Sequence, residues 1–147
     1  ALGDGLRTGG NHGYPLIYVG AELTAMEVLT DKTTEGAVVG AVLQAVDQAI
    51  SHAGTIVLEP LMKLEVLAPE DCVGDVSVYL QPRRAVIHAM TSVGQVKRIS
   101  CLVPLSEMFG FGKALPKLTG GRGAFSMEPC GYQELPANIA NQLFGGV

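Results

Sequence analysis

The chain lacks the parts from which most enzymes are built. No Gly-x-x-x-x-Gly-Lys-Ser/Thr loop occurs in its 147 residues, so nothing in it cradles nucleotide phosphates. Gly110-Phe-Gly112 falls inside a predicted helix rather than after a strand, and is no dinucleotide fingerprint. No Ser/His/Asp set or Cys/His pair stands at useful spacing, and Glu70-Asp71 reads as negative charge placed at a helix start. The three cysteines, Cys72, Cys101 and Cys130, form no Cys-x-x-Cys pair and stand apart from His12, His52 and His88. That spacing argues against zinc and for buried free thiols in a reducing cytosol. No apolar run approaches the ~18 residues of a membrane span. The start, Ala-Leu-Gly-Asp-Gly, has neither an initiator Met nor the regions of a signal peptide, and reads as a cut made inside a longer protein. Charge is sparse as well. At 16% charged residues and a net charge of −4, the whole chain is a poor non-specific nucleic-acid binder. Its distribution is uneven: residues 1–58 carry two basic and six acidic side chains, whereas residues 59–147 carry eight of each.

What is present is 48% hydrophobic sequence in a readable order. Gly9-Gly10-Asn11-His12-Gly13 is a turn cluster. From Pro15 the residues alternate, with Ile17, Val19, Ala21 and Leu23 on one face, which predicts a strand. Asp31-Lys32-Thr33-Thr34-Glu35 offers helix-start chemistry. Val38, Val42, Val46 and Ile50 then mark a helix running to about His52, stopped by Ala53-Gly54. Thr55 to Leu58 reads as a short strand. This β-α-β unit, residues 1–58, buries too little surface to be self-sufficient, so an unpaired sheet edge or an exposed apolar face is expected in it.

Glu59-Pro60 reads as the boundary to a second unit, residues 59–147. Its predicted order is β-α-β-β-α-β. A strand spans Leu61 to Ala68, and a helix starts at Pro69-Glu70-Asp71 with a buried stripe of Val73, Val76 and Leu80. A hairpin follows, from Ala85 to Val93 and from Gln95 to Val103 around Gly94. In Val103-Pro-Leu-Ser-Glu-Met-Phe-Gly-Phe111, Ser106 can cap a second helix, Glu107 complements its dipole, and Met108, Phe109 and Phe111 form a packing face. Thr119-Gly-Gly ends that helix before a strand at Ala124 to Glu128, which Tyr132 to Leu135 can extend. A short terminal helix is expected from Pro136 to Phe144. Two β-α-β halves on a four-stranded antiparallel sheet make an α+β, ferredoxin-like arrangement. The second and third strands contain no aromatic residue, which argues against a base-stacking sheet of the RNA-recognition type.

Six strings, in order, carry a family resemblance: Leu58-Glu-Pro-Leu-Met-Lys63, Pro69-Glu-Asp71, Gly74-Asp75-Val76, Arg83-Arg84, Val103-Pro-Leu-Ser-Glu-Met-Phe-Gly110 and Thr119-Gly-Gly-Arg-Gly123. Together they resemble the C-terminal region of elongation factor G, the ribosomal translocase. The resemblance implies that residues 1–58 are the second half of domain IV, from Gly13-Tyr-Pro onward, and that residues 59–147 are domain V. It implies a mechanical role in tRNA and mRNA translocation, with no catalytic site in these residues. GTP and magnesium would belong to a nucleotide domain of the parent GTPase outside them. The implied partners are large-subunit RNA at the stalk base and the sarcin-ricin loop, with tRNA and mRNA met by the missing part of domain IV and no membrane. The implied location is the cytoplasm, or the mitochondrial matrix for an organellar paralogue. A paralogue acting in ribosome recycling shares the architecture, and a stand-alone ferredoxin-like binding module is a further alternative.

The residues that the resemblance brings forward for RNA contact are Lys113, Lys117 and Arg122, with Arg83 and Arg84 behind them. Their chemistry agrees, since arginine side chains and the backbone N–H groups of a glycine-rich turn both suit phosphate. The chain also departs from the family pattern. Translocases commonly read Asp-Leu-Arg-Ser where this chain reads Ala114-Leu-Pro-Lys117, so Pro116 replaces the arginine that contacts the sarcin-ricin loop in the family. Gly120 stands where glutamine is usual, and Ala85 replaces the glycine that usually follows the arginine pair. A proline at position 116 is expected to kink or end the helix.

Overall fold

The computed structural model describes residues 2–8, 13–29 and 32–145. The chain divides into two compact units, Ala1–Ile56 with Asn141–Val147, and Val57–Ala140.

In the first unit, α1 (Leu2–Thr8) and α2 (Glu35–Ala53) are the helices. Thr34 caps α2, its hydroxyl accepting from the Ala37 N–H at 3.2 Å, and Glu35 sits in the first turn where the dipole favours it. Gly54, at φ 72°, closes the helix by donating to the Ile50 carbonyl at 3.1 Å. Of the predicted stripe, Val46 and Ile50 are buried, whereas Val38 and Val42 are half-buried. A Cβ on Gly5 would lie 3.2 Å from Val46 Cγ1, so α1 meets α2 where it carries no side chain.

The two strands predicted for this unit do not form. No strand is present among the described residues before Leu58. A strand exists by its ladder bonds, and the alternating run from Pro15 has no second strand to bond with. Its Ile17, Tyr18, Val19, Leu23, Met26 and Val28 are exposed, which is the expected apolar face without the sheet. Residues 9–12 of the predicted turn cluster, and Asp31 of the helix-start motif, lie outside the described residues.

The second unit is organised by β1 (Leu58–Pro69). Met62, Leu64, Val66 and Ala68 point inward and are buried, while Lys63 and Glu65 take the other face. The strand starts at Leu58 and runs through Pro60 rather than beginning at Leu61. Proline is tolerated there because positions 58–60 pair with β4 alone, and pairing with β3 starts at Leu61. A 3-10 turn at Glu70–Cys72 leads into α3 (Val73–Leu80), whose Val76 and Leu80 are fully buried. The hairpin is β2 (Val86–Val93) and β3 (Val96–Pro104), with Gly94 at φ 64° in its turn. β3 contributes Ile99, Cys101 and Val103 to the core.

The segment after β3 differs from expectation. Leu105–Met108 is a 3-10 turn, and α4 (Phe111–Thr119) begins only after Gly110, which is left-handed at φ 84° and is the N-cap. Ser106 therefore caps nothing, and of the predicted packing face Met108 and Phe111 are buried while Phe109 is 79% exposed. Pro116 sits inside α4 without ending it, so the chain forgoes one ladder bond and continues to Thr119. Gly120, left-handed at φ 58°, then caps the helix. β4 (Ala124–Glu134) and α5 (Ala137–Phe144) follow.

The four strands pair antiparallel in the order β2-β3-β1-β4. With α3 and α4 packed on the core face, this is the predicted ferredoxin-like α+β arrangement. Cys72 and Cys101 are buried as free thiols, and burial pushes the Cys101 thiol up to about 11. Cys130, expected to be buried, is exposed on β4 beside the register shift opposite Leu61.

Candidate nucleic-acid interface

The basic residues singled out from the sequence fall into two groups with opposite environments. At one end of the sheet, Glu59 of β1 is buried, with its side chain 7% exposed. An isolated carboxylate would not tolerate that position, and this one is surrounded by donors. Arg84 grips it with both terminal nitrogens, Nη1 to Oε1 at 2.5 Å and Nη2 to Oε2 at 3.0 Å. Gln133 of β4 donates at 3.0 Å and Ser106 at 3.3 Å. Arg84 Nε also donates to Glu107 Oε1 at 2.8 Å. One bidentate pair thus ties the start of β1 to the end of β4, to the α3–β2 link and to the turn after β3. Burial pushes the Glu59 carboxyl up, but the Arg84, Gln133 and Ser106 hydrogen bonds and the Arg84 charge outweigh it and hold the group below its usual range. Arg84 itself is left-handed, at φ 54° and ψ 24°, a geometry costing a non-glycine residue ~1 kcal/mol. Its hydrogen bonds explain why the strain is held.

Arg83 is likewise occupied. Its Nη1 donates to the Glu107 carbonyl at 2.7 Å and its Nη2 to the Tyr79 hydroxyl at 2.6 Å, with the guanidinium carbon 4.2 Å from the Tyr79 ring centre. Arg122, at the glycine-rich elbow, reaches Asp71 Oδ2 and Cys72 Sγ with Nη2, at 2.8 and 3.4 Å. The Arg122 hydrogen bond and charge hold the exposed Asp71 carboxyl low against a smaller desolvation effect.

The elbow's backbone does not offer the phosphate cradle expected of it. The Gly120 and Gly121 N–H groups both donate to the Pro116 carbonyl. Arg122 N–H donates to the Thr119 carbonyl at 3.1 Å, and Gly123 N–H to Thr119 Oγ1 at 2.9 Å. All four donors are used internally. The glycines are there for shape: Gly120 and Gly121 take positive φ, and a Cβ on Gly123 would come within 2.8 Å of the fully buried Thr119 side chain.

Lys113 and Lys117 differ from all of these. They lie one turn apart on α4, opposite the buried Phe111, Leu115 and Thr119, and both are exposed. Among the described residues neither side chain has an ion pair or hydrogen-bond partner. No acidic residue occurs from Met108 to Met127, a stretch that holds Lys113, Lys117 and Arg122. The role of Glu59 as the arginine's anchor was missed because the sequence shows no local pattern for a contact between residues 25 positions apart, and that of Gly123 because nothing in the sequence marks the Thr119 side chain, four residues back, as folded against it.

A four-stranded antiparallel sheet with helices on one face and a basic, acid-free second helix defines the class: a ferredoxin-like domain with a candidate anion-facing surface. Residues 56–143 match the family model described as elongation factor G C-terminus. The chain belongs to that family, and its resemblance is to the C-terminal region of elongation factor G. A crystal structure of a protein from Thermus thermophilus is similar over 97% of this chain, at 31% sequence identity and a TM-score of 0.75. The chain spans 22% of that protein's length.

Proposed function

We propose that this chain docks an elongation-factor-G-like GTPase on the large ribosomal subunit, at the stalk-base RNA and the sarcin-ricin loop, during tRNA and mRNA translocation. The observation that carries the reading is the exposed Lys113–Lys117 side-chain pair, without a partner among the described residues, on a helix that itself carries no acidic residue, since phosphate backbones are held chiefly by available cations. GTP and magnesium are assigned to the parent's nucleotide domain, and the whole factor acts in the cytoplasm or, for an organellar paralogue, in the mitochondrial matrix. A divergent paralogue, such as one acting in ribosome recycling, is the second reading, and one departure from the family pattern fits it as readily as the first. Pro116 stands in place of the family's contact arginine, leaving Lys117 as a point charge without a guanidinium fork. The test is sedimentation of the full chain with purified large or small ribosomal subunits, followed by nuclease footprinting of the bound RNA. Selective binding to the large subunit, with protection at the stalk base and the sarcin-ricin loop, supports the reading. Equal binding to both subunits, or none, overturns it.

A further inference from the structure

We propose that Phe109 is the stacking anchor of this surface, taking an unstacked base from an exposed RNA loop while Lys113 and Lys117 hold the adjoining phosphates. The proposal rests on the ribosome-docking reading and adds to it a residue that charge alone does not identify. Phe109 stands between two residues that the core takes in, Met108 at 7% exposure and Phe111 at 0%, yet is itself 79% exposed. The backbone turns it outward. Phe109 is extended at φ −60° and ψ 125°, and Gly110 then takes the left-handed φ 84° that starts α4. Lys113 follows immediately on the same turn, its N–H bonded to the Gly110 carbonyl at 3.1 Å, and Lys117 lies one turn further.

An apolar ring with two unpaired ammonium groups beyond it, in a stretch without carboxylates, matches single-stranded nucleic acid better than a protein partner. Single strands offer a π-face to the ring and phosphates to the cations, and stacking tolerates any base. A continuous RNA duplex would leave the ring without a partner, because its bases are already stacked. The strands β1, β2 and β3 carry no aromatic residue, and on β4 Phe125 is engaged edge-on with the buried Phe111, ring centres 5.1 Å apart.

The experiment measures affinity of the full chain for purified large ribosomal subunits, in wild type, Phe109→Ala and Phe109→Tyr, and photocrosslinks benzoylphenylalanine placed at position 109. Loss of one stacked base predicts binding weakened by about tenfold in Phe109→Ala, restored in Phe109→Tyr, with an unchanged salt slope. The crosslink is expected on ribosomal RNA, in a loop. Wild-type binding with Phe109→Ala unaffected overturns the anchor and leaves the docking reading standing. A crosslink to a ribosomal protein also overturns it, and absence of wild-type binding removes both.

Discussion

Two groups of basic residues in the second unit look alike in sequence and do opposite things in the structure. In one, Arg83, Arg84 and Arg122 spend their guanidinium groups on Glu59, Glu107, Tyr79, Asp71 and Cys72. In the other, Lys113 and Lys117 stand on the exposed side of α4 with no partner among the described residues. The difference follows from side-chain chemistry. A planar fork with fixed donors fits a buried carboxylate and several carbonyls at once, whereas a flexible, strongly hydrated ammonium is left in water where a ligand can reach it. The basic residues of this domain therefore divide into those that build its surface and those left free for a ligand.

The largest effect expected from this division is at Arg84. Arg84→Ala leaves the buried Glu59 carboxylate with Gln133 and Ser106 alone, and should lower unfolding stability by about 2–4 kcal/mol, less than for a fully enclosed pair because Arg84 is partly exposed. Urea denaturation checks this, and a loss below ~1 kcal/mol would place Arg84 with the free cations instead. Next is Gly123→Ala, where the new methyl meets the enclosed Thr119 side chain and should cost about 1–3 kcal/mol in the same assay.

Acid provides a subtler test. The Glu59 carboxyl is held below its unfolded value of about 4.3. Its contribution is therefore complete above that value and is lost as pH falls through the lower folded one. Stability curves from about pH 7 to about pH 3 should fall less steeply for Glu59→Gln than for the wild type. Parallel curves would remove this carboxylate from the acid response. The smallest effect on stability is expected for Lys113→Ala with Lys117→Ala, within about 0.5 kcal/mol of wild type in urea, because both are exposed.

Legibility in the sequence followed the same physics. The hairpin, the buried stripe of α3 and the inward face of β1 were readable because each rests on a period of apolar residues or a glycine turn. Thr34 and Gly54 were readable as the bounds of α2 because caps are local chemistry. The strand predicted from Pro15 was not, since alternation states only that a residue run suits a ladder and not that a partner exists. Ser106 misled for a related reason: it has the composition of a cap, but its hydroxyl is taken by Glu59 and Arg84, and the left-handed Gly110 starts the helix instead. The candidate residues were all legible as basic. Which of them were already occupied depended chiefly on contacts with β1, the 3-10 turn that follows it and the turn after β3, beyond the reach of a local pattern.

The most direct measurement is the salt dependence of large-subunit binding by the full chain, comparing the Lys113→Ala, Lys117→Ala double variant with Arg122→Ala. The account predicts that the lysine variant binds more weakly and that its slope of log affinity against log salt is shallower by ~1–2, while Arg122→Ala keeps the wild-type slope. A wild-type slope in the lysine variant, with the loss appearing in Arg122→Ala, would contradict the division on which the docking surface rests.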